Sequence, residues 1–197
     1  MDANGGMLGK VQPLGESMKR TGSGIVAILI GACSIVAGCS TSKPPETALH
    51  VDLARYMGKW YEIARKPVYF EKGLVNVTAE YTLRDDGNVM VVNRGFKQAA
   101  NGPERSIEGT ASVADRVTDS KLKVRFKPFP VNLFKANYWI IEVGPDYEYA
   151  VVSNAHRSVL WILSRTRAMD PAAYERILKD LQKKGFDTSK LILTPQS

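Results

Sequence analysis

Val77-Thr78-Ala79-Glu80-Tyr81-Thr82-Leu83 alternates apolar and polar side chains throughout, and Asp85-Asp86-Gly87-Asn88 follows it. Period-two alternation is the mark of a strand buried on one face. The Asp/Gly/Asn cluster supplies the positive-φ positions of a tight hairpin, so Val89 to Phe96 is expected as the antiparallel partner. Further along, Lys121 to Lys127 places Leu122, Val124 and Phe126 on one face and Lys121, Lys123, Arg125 and Lys127 on the other. Lys59–Arg65, Ser106–Val113, Ala136–Val143, Tyr149–Ser153 and Val159–Arg165 complete eight strands, with Gly144-Pro145-Asp146 as one of the turns between them. Only one long helical pattern occurs: Asp170 caps, Pro171 opens the first turn, Tyr174, Ile177, Leu178 and Leu181 recur at helical spacing, and Gly185 ends it. The expected fold is all-β, an eight-stranded antiparallel up-and-down barrel with one C-terminal α-helix packed on its outside. Closure removes exposed strand edges and leaves an interior wide enough for one small ligand.

The region before this pattern reads differently. Lys19 and Arg20 precede an apolar run from Gly24 to Val36, which ends in Ile35-Val36-Ala37-Gly38-Cys39. That arrangement resembles a bacterial lipobox, in which the signal peptide is removed and the cysteine is acylated. Ile25–Val36 is too short for the roughly 20 residues of a spanning helix. Residues 1–38 are therefore expected to be a lipoprotein-type signal peptide. Residues 39–50 are expected to be the lipidated Cys39 and a flexible tether, since Ser40 to Glu46 lacks an apolar face and contains Pro44-Pro45. Residues 51–197 form the barrel domain. Cys33 and Cys39 are the two cysteines, so the domain itself has no disulfide. Of the formal net charge of +7, one unit sits before Cys39. The excess either draws the domain to anionic lipid or is solvated surface lysine. No basic run is interleaved with aromatics, so a nucleic-acid partner is not expected.

Gly58-Lys59-Trp60-Tyr61-Glu62-Ile63-Ala64 resembles the G-x-W-Y signature that opens a lipocalin barrel, and Trp161-Ile162-Leu163-Ser164-Arg165 resembles its last-strand signature. Pro145-Asp146-Tyr147 is a partial match to the middle motif. The resemblance runs from Val51 to the C-terminus and, with the lipobox, is similar to the bacterial outer-membrane lipoproteins of that family. It implies that Arg165 lies across Trp60 at the closed base, a structural cation–π stack. The family's sorting rule, with Ser40 after the acylated residue, implies the periplasmic side of the outer membrane. The ligand implied is an amphipathic lipid, a lysophospholipid or fatty acid, held or shuttled in envelope maintenance.

Side-chain parity then gives a lining. With Arg165 inward, Leu163 and Trp161 point inward. The alternating strands add Val77, Ala79 and Tyr81, and then Leu122, Val124 and Phe126. Val91 and Asn93 face in from the third strand, and the family alignment puts Tyr138 and Ile140 inside, leaving Trp139 and Ile141 beneath the helix. Ala64 belongs to the same expected ligand-binding set, as do Phe70, Phe129 and Phe134 from two apolar loops at the mouth. Those loops either meet lipid or fold inward as a lid. The opposing expectation is a barrel filled entirely by its own side chains. Arg65, Lys66, Lys72 and His156 are placed at or near the rim, where a cation either pairs with a phosphate or carboxylate head group or is simply solvated.

Neither a G-x-S-x-G elbow nor an H-E-x-x-H pair occurs, and His50 lies in the tether. Glu62 shares parity with Trp60, which makes it either a buried acid–base group or a hydrogen-bonded structural residue. A binder is therefore expected, with no catalytic residue, metal ligand or cofactor. The alternatives are a lipid-modifying enzyme using the same cavity and an envelope scaffold. A homodimer through the rim is compatible with all three.

Overall fold

The structure is a computed structural model and describes residues 43–127 and 136–197. Nine strands form one antiparallel sheet in the order β2-β3-β4-β5-β6-β7-β8-β1-β9, closed by a direct β1–β2 pairing. They are β1 (Gly58–Arg65), β2 (Leu74–Leu83), β3 (Val89–Lys97), β4 (Glu104–Val113), β5 (Lys121–Phe126), β6 (Ala136–Val143), β7 (Tyr149–Ser153), β8 (Leu160–Ser164) and β9 (Ile192–Leu193). A short helix α1 (Leu53–Tyr56) precedes the barrel and α2 (Pro171–Lys183) follows β8. The eight expected strands are all present, with β2 starting three residues before the alternating run at Val77 and β4 two residues before Ser106.

Two sets of packed side chains follow from the alternation. Trp60, Tyr81, Val91, Val124, Ile140 and Leu163 meet inside the barrel. Ala64, Ile141, Val151 and Ile162 face outward and pack on Ile177 and Leu181 of α2, with Trp139 at the edge of that cluster. The helix has its Asp170 cap, whose carboxylate accepts the Ala173 N–H at 2.9 Å, and Gly185, at φ +78°, turns the chain so that Phe186 also packs beneath it. Gly109 matters on the inner face. A Cβ there would come within 2.8 Å of the Phe126 ring, so its absence makes room for that side chain.

The closed end is built around Trp60 and Arg165. The Arg165 guanidinium carbon lies 3.7 Å from the Trp60 ring centroid. Its nitrogens donate to the carbonyls of Arg55 at 2.7 Å, Lys59 at 3.0 Å and Tyr147 at 3.3 Å. The indole N–H of Trp60 donates to the Tyr56 carbonyl at 2.9 Å, which fixes α1 across the base. Asp52 caps α1 by accepting from the N–H groups of Ala54 and Arg55.

Three features differ from the sequence expectations. The seam between β1 and β2 pairs only over Gly58–Tyr61 and Thr78–Tyr81, and above that the C-terminal tail fills the gap. β9 pairs with β1 at Ala64 and Arg65, and the Gln196 side-chain amide donates to both the Glu62 carbonyl at 2.9 Å and the Val77 carbonyl at 2.8 Å. The tail thus stitches the two strands, with Asn76, at φ +49°, donating its N–H to the Pro195 carbonyl at 2.8 Å. Second, the expected flexible tether of residues 39–50 is strapped to the barrel from Lys43 onward. Ala48 donates its N–H to the Ile140 carbonyl at 3.0 Å, Ser120 donates its hydroxyl to Thr47 Oγ1 at 2.8 Å, Arg157 donates to the Lys43 carbonyl at 2.8 Å, and Pro45 is buried. Composition hid these bonds, because they depend on an acceptor at Ile140 and on donors at Ser120 and Arg157, all far along the chain. Third, α1 was not expected. The expected signal peptide at residues 1–38 and the expected acylation site Cys39 lie outside the described residues.

Replacing Arg165 with Met removes the stack and three charge-assisted hydrogen bonds while keeping most of the volume. It is expected to cost about 2–4 kcal/mol of unfolding free energy, measured by urea denaturation; a loss below about 0.5 kcal/mol would show that this contact does not hold the base.

Candidate functional site

The closed end of the interior has a floor of aromatic rings. Tyr56, Tyr81 and Trp60 stack at the bottom, with centroids 5.1 Å apart for Tyr56–Trp60 and 5.7 Å for Tyr56–Tyr81. The Tyr138 hydroxyl joins those of Tyr56 at 2.7 Å and Tyr81 at 3.0 Å. Burial pushes all three phenols up, Tyr81 to about 12, so they remain neutral hydrogen-bonding groups. Above this floor Ala79, Phe126, Tyr138 and Trp161 are only partly buried, and they border the open part of the lumen.

Of the residues expected to line the ligand, Ala79, Tyr81, Val91, Val124, Phe126, Tyr138, Ile140, Trp161 and Leu163 face the interior. Val77 joins them beside Gly95. Asn93, two residues before Gly95 on β3 and opposite Ala79, has a buried side-chain oxygen without a hydrogen-bond partner among the described residues.

Ala64 does not face the interior. The β1–β8 register shifts between Glu62 and Ala64, where Glu62 pairs with Leu163 and Ala64 with Ile162. One extra residue in the strand reverses the parity, so Ala64 lies in the cluster beneath α2. Phe70 also departs from the expectation: it is 67% exposed on the crest of the first rim loop, next to Tyr69 at 94%. Phe129 and Phe134 lie outside the described residues. Among the cations assigned to the rim, Lys72 and His156 are exposed, and Lys66 is tied by Nζ to the Arg157 carbonyl at 3.0 Å.

The same register shift turns Arg65 inward. It is 5% exposed, opposite Trp161, and sits between two carboxyl groups. One nitrogen donates to Glu62 Oε1 at 2.6 Å and to Thr194 Oγ1 at 2.8 Å. Another donates to the Glu71 backbone carbonyl at 2.9 Å. Its Nε faces Glu71 Oε2 at 3.3 Å without an aligned hydrogen bond. The same Glu71 oxygen accepts the Trp161 indole N–H at 3.2 Å. Thr194 from the C-terminal tail donates to Glu62. Glu62, Glu71 and Thr194 are themselves buried.

One guanidinium between two carboxylates leaves a deficit of positive charge in a low-dielectric place. Loss of water raises Glu62, against the pull of Arg65 and Thr194. Glu71 is pushed from the usual 4.5 to about 8, first by desolvation and then by the charge of Glu62. The pair therefore keeps a proton at neutral pH. Glu62 was expected inside by parity. Arg65, Glu71 and Thr194 were not, because a bulge, a rim loop and a tail leave no periodic signal.

A closed antiparallel cup, sealed at one end by a stacked arginine and lined above by apolar and aromatic side chains, is the architecture of a binder of lipids or small hydrophobic molecules. The family description "Lipocalin-like domain" matches residues 51–196, and this chain belongs to the lipocalin family. The outer membrane lipoprotein Blc of Vibrio cholerae is 37% identical over 175 residues, covering 86% of this chain and 98% of its own. The temperature-induced lipocalin-1 of Arabidopsis thaliana is 41% identical over 160 residues, covering 79% of this chain and 84% of its own. Insecticyanin from the tobacco hornworm Manduca sexta shares the fold, with a TM-score of 0.62 at 22% identity over 79% of this chain and 87% of that one. Members of this family are generally binding or transport proteins.

Glu71 faces Glu62 and Arg65 from β1, Trp161 from β8 and, at longer range, Tyr81 from β2. Its raised folded value means that the folded chain holds a proton which the unfolded chain releases near 4.5. Stability from this site is thus greatest below about pH 4.5 and is lost as pH rises to about 8. The denaturation midpoint is expected to fall between pH 5.5 and 8, and Glu71→Gln to flatten that fall; parallel slopes for the two proteins would refute the assignment.

Proposed function

We propose that this protein is a lipid-anchored carrier on the periplasmic side of the outer membrane, which holds or shuttles a lysophospholipid or fatty acid in envelope maintenance. The observation that carries the reading is the mixed character of the lumen: partly buried Ala79, Phe126, Tyr138 and Trp161 surround its open part, while Asn93 Oδ1 and Arg65 Nε are buried without hydrogen-bond partners among the described residues. Buried polar atoms are normally paired. An amphipathic ligand supplies both a tail for the apolar wall and polar atoms for those groups. Each methylene removed from water contributes about 0.8 kcal/mol, so a single acyl chain offsets its ordering cost with several kcal/mol remaining.

The anchor follows from the lipobox and from the likeness to relatives named outer membrane lipoproteins. Residues 1–38 are read as the signal peptide and Cys39 as the acylated residue. Lys43, four residues after Cys39 in the sequence, is held by Arg157 on the rim loop between β7 and β8. The barrel would then work close to the membrane that supplies its ligand.

Titration of the purified protein with 1-palmitoyl lysophosphatidylethanolamine, followed by tryptophan fluorescence, is expected to saturate at one ligand per chain. Phe126→Ala should weaken binding about five- to thirty-fold, the size of a lost apolar contact of roughly 1–2 kcal/mol. An absence of saturable binding up to tens of micromolar would support a barrel filled by its own side chains. In cells, labelled palmitate should mark the wild-type chain and not Cys39→Ser; equal labelling would refute the anchor.

A further inference from the structure

The Glu71 carboxyl group enters the lumen from the rim turn Tyr69–Glu71 and ends between the Arg65 Nε and the Trp161 indole N–H, at 3.3 and 3.2 Å. Those two donors belong to opposite partners on β1 and β8, and they converge on one oxygen. Arg65 gives its other nitrogens to Glu62, to Thr194 and to the Glu71 backbone. We infer that the Arg65–Trp161 pair is the receptor for the oxyanion of an amphipathic lipid, a carboxylate or phosphate, and that the Glu71 side chain is a built-in stand-in which this head group displaces. The inference rests on the lipid-binding reading and assigns the end of the ligand that it fixes.

The stand-in is weakly held where it lies. The Arg65 Nε faces it without an aligned hydrogen bond. Desolvation and the Glu62 charge also disfavour its ionised form inside the barrel, so its return to water regains hydration. Its own loop presents Tyr69 and Phe70 to solvent rather than to the core, so little apolar packing opposes a swing outward. A side chain that occupies the receptor lowers apparent affinity in proportion to the fraction of time the receptor is blocked. Arg65, 5% exposed and locked to Glu62 and Thr194, stays in place when Glu71 leaves.

The test compares palmitate, hexadecyl phosphate and hexadecanol, which share one tail and differ in the head group, on the intact protein by fluorescence titration. In Glu71→Ala the affinity ratio of each anion to hexadecanol should rise at least about fivefold. In Trp161→Phe, which deletes the N–H and keeps an aromatic ring, the ratio should fall severalfold. A rise confined to palmitate identifies a carboxylate receptor, and one confined to hexadecyl phosphate a phosphate receptor. Unchanged ratios in both variants, with hexadecanol still bound, overturn the receptor and leave the carrier standing. If none of the three binds the wild-type protein, the carrier reading itself fails.

Discussion

The register shift in β1 between Glu62 and Ala64 is the constraint on which both faces of this barrel depend. Below it, Trp60 and Glu62 point inward; above it, Ala64 points to the helix and Arg65 to the lumen. The small Ala64 leaves room for α2 to seat Ile177 and Leu181 against the sheet. The inward Arg65 brings a positive charge into the lumen, beside Glu62 and Glu71. A strand with unbroken alternation would present Ala64 to the lumen and the guanidinium to the helix, where Ile141, Val151 and Ile162 offer it no acceptor. The bulge therefore serves packing on one side and chemistry on the other.

Holding that charge inside requires acceptors, and they come from two neighbouring stretches of the chain and one distant one. Glu62 is on the same strand, Glu71 on the first rim loop and Thr194 on the C-terminal tail. The tail is consequently part of the wall. Thr194 donates its N–H to the Ile63 carbonyl at 2.9 Å, inside the bulge itself, and Gln196 spans from β1 to β2. A bulge leaves backbone groups without ladder partners, and here the last residues of the protein satisfy them. The seam that the tail closes also borders an open groove of about 620 Å³ between the rim loop and β9, which includes Pro67, Val68, Leu74 and Leu193.

The closed end and strand order were legible because they are local and periodic. The Val77–Leu83 alternation, its Asp/Gly/Asn turn and the helix pattern after Asp170 state their conformation within a few residues. Trp60 and Arg165 were legible for another reason: they carry a motif whose two halves lie at opposite ends of the fold. What escaped was everything that depends on a break in period or on a contact across the chain. A single inserted residue at Ile63 is invisible to a pattern of period two, yet it moves Ala64 out of the expected lining and Arg65 into it. β9 is two residues long and exposed, so only its pairing with Ala64 and Arg65 makes it a strand. Lys43 to Ala48 reads as a tether because its partners, the Ile140 carbonyl, the Ser120 hydroxyl and the Arg157 guanidinium, lie far along the sequence.

The two ends of the lumen hold arginine under opposite conditions, and the contrast explains their different roles. Arg165 spreads its charge over an indole face and three backbone carbonyls, all neutral and all fixed by strand and helix geometry. Nothing there gains by leaving, so the contact is purely a seal. Arg65 faces two carboxyl groups that compete for one guanidinium, and one of them is mounted on a loop whose neighbouring aromatics are in solvent. A satisfied cation with neutral partners resists exchange, whereas one with a surplus acidic partner on an exposed rim turn is suited to it. Stability is thus concentrated at the base and exchangeability near the mouth, the arrangement required of a cup that must stay folded while its contents come and go.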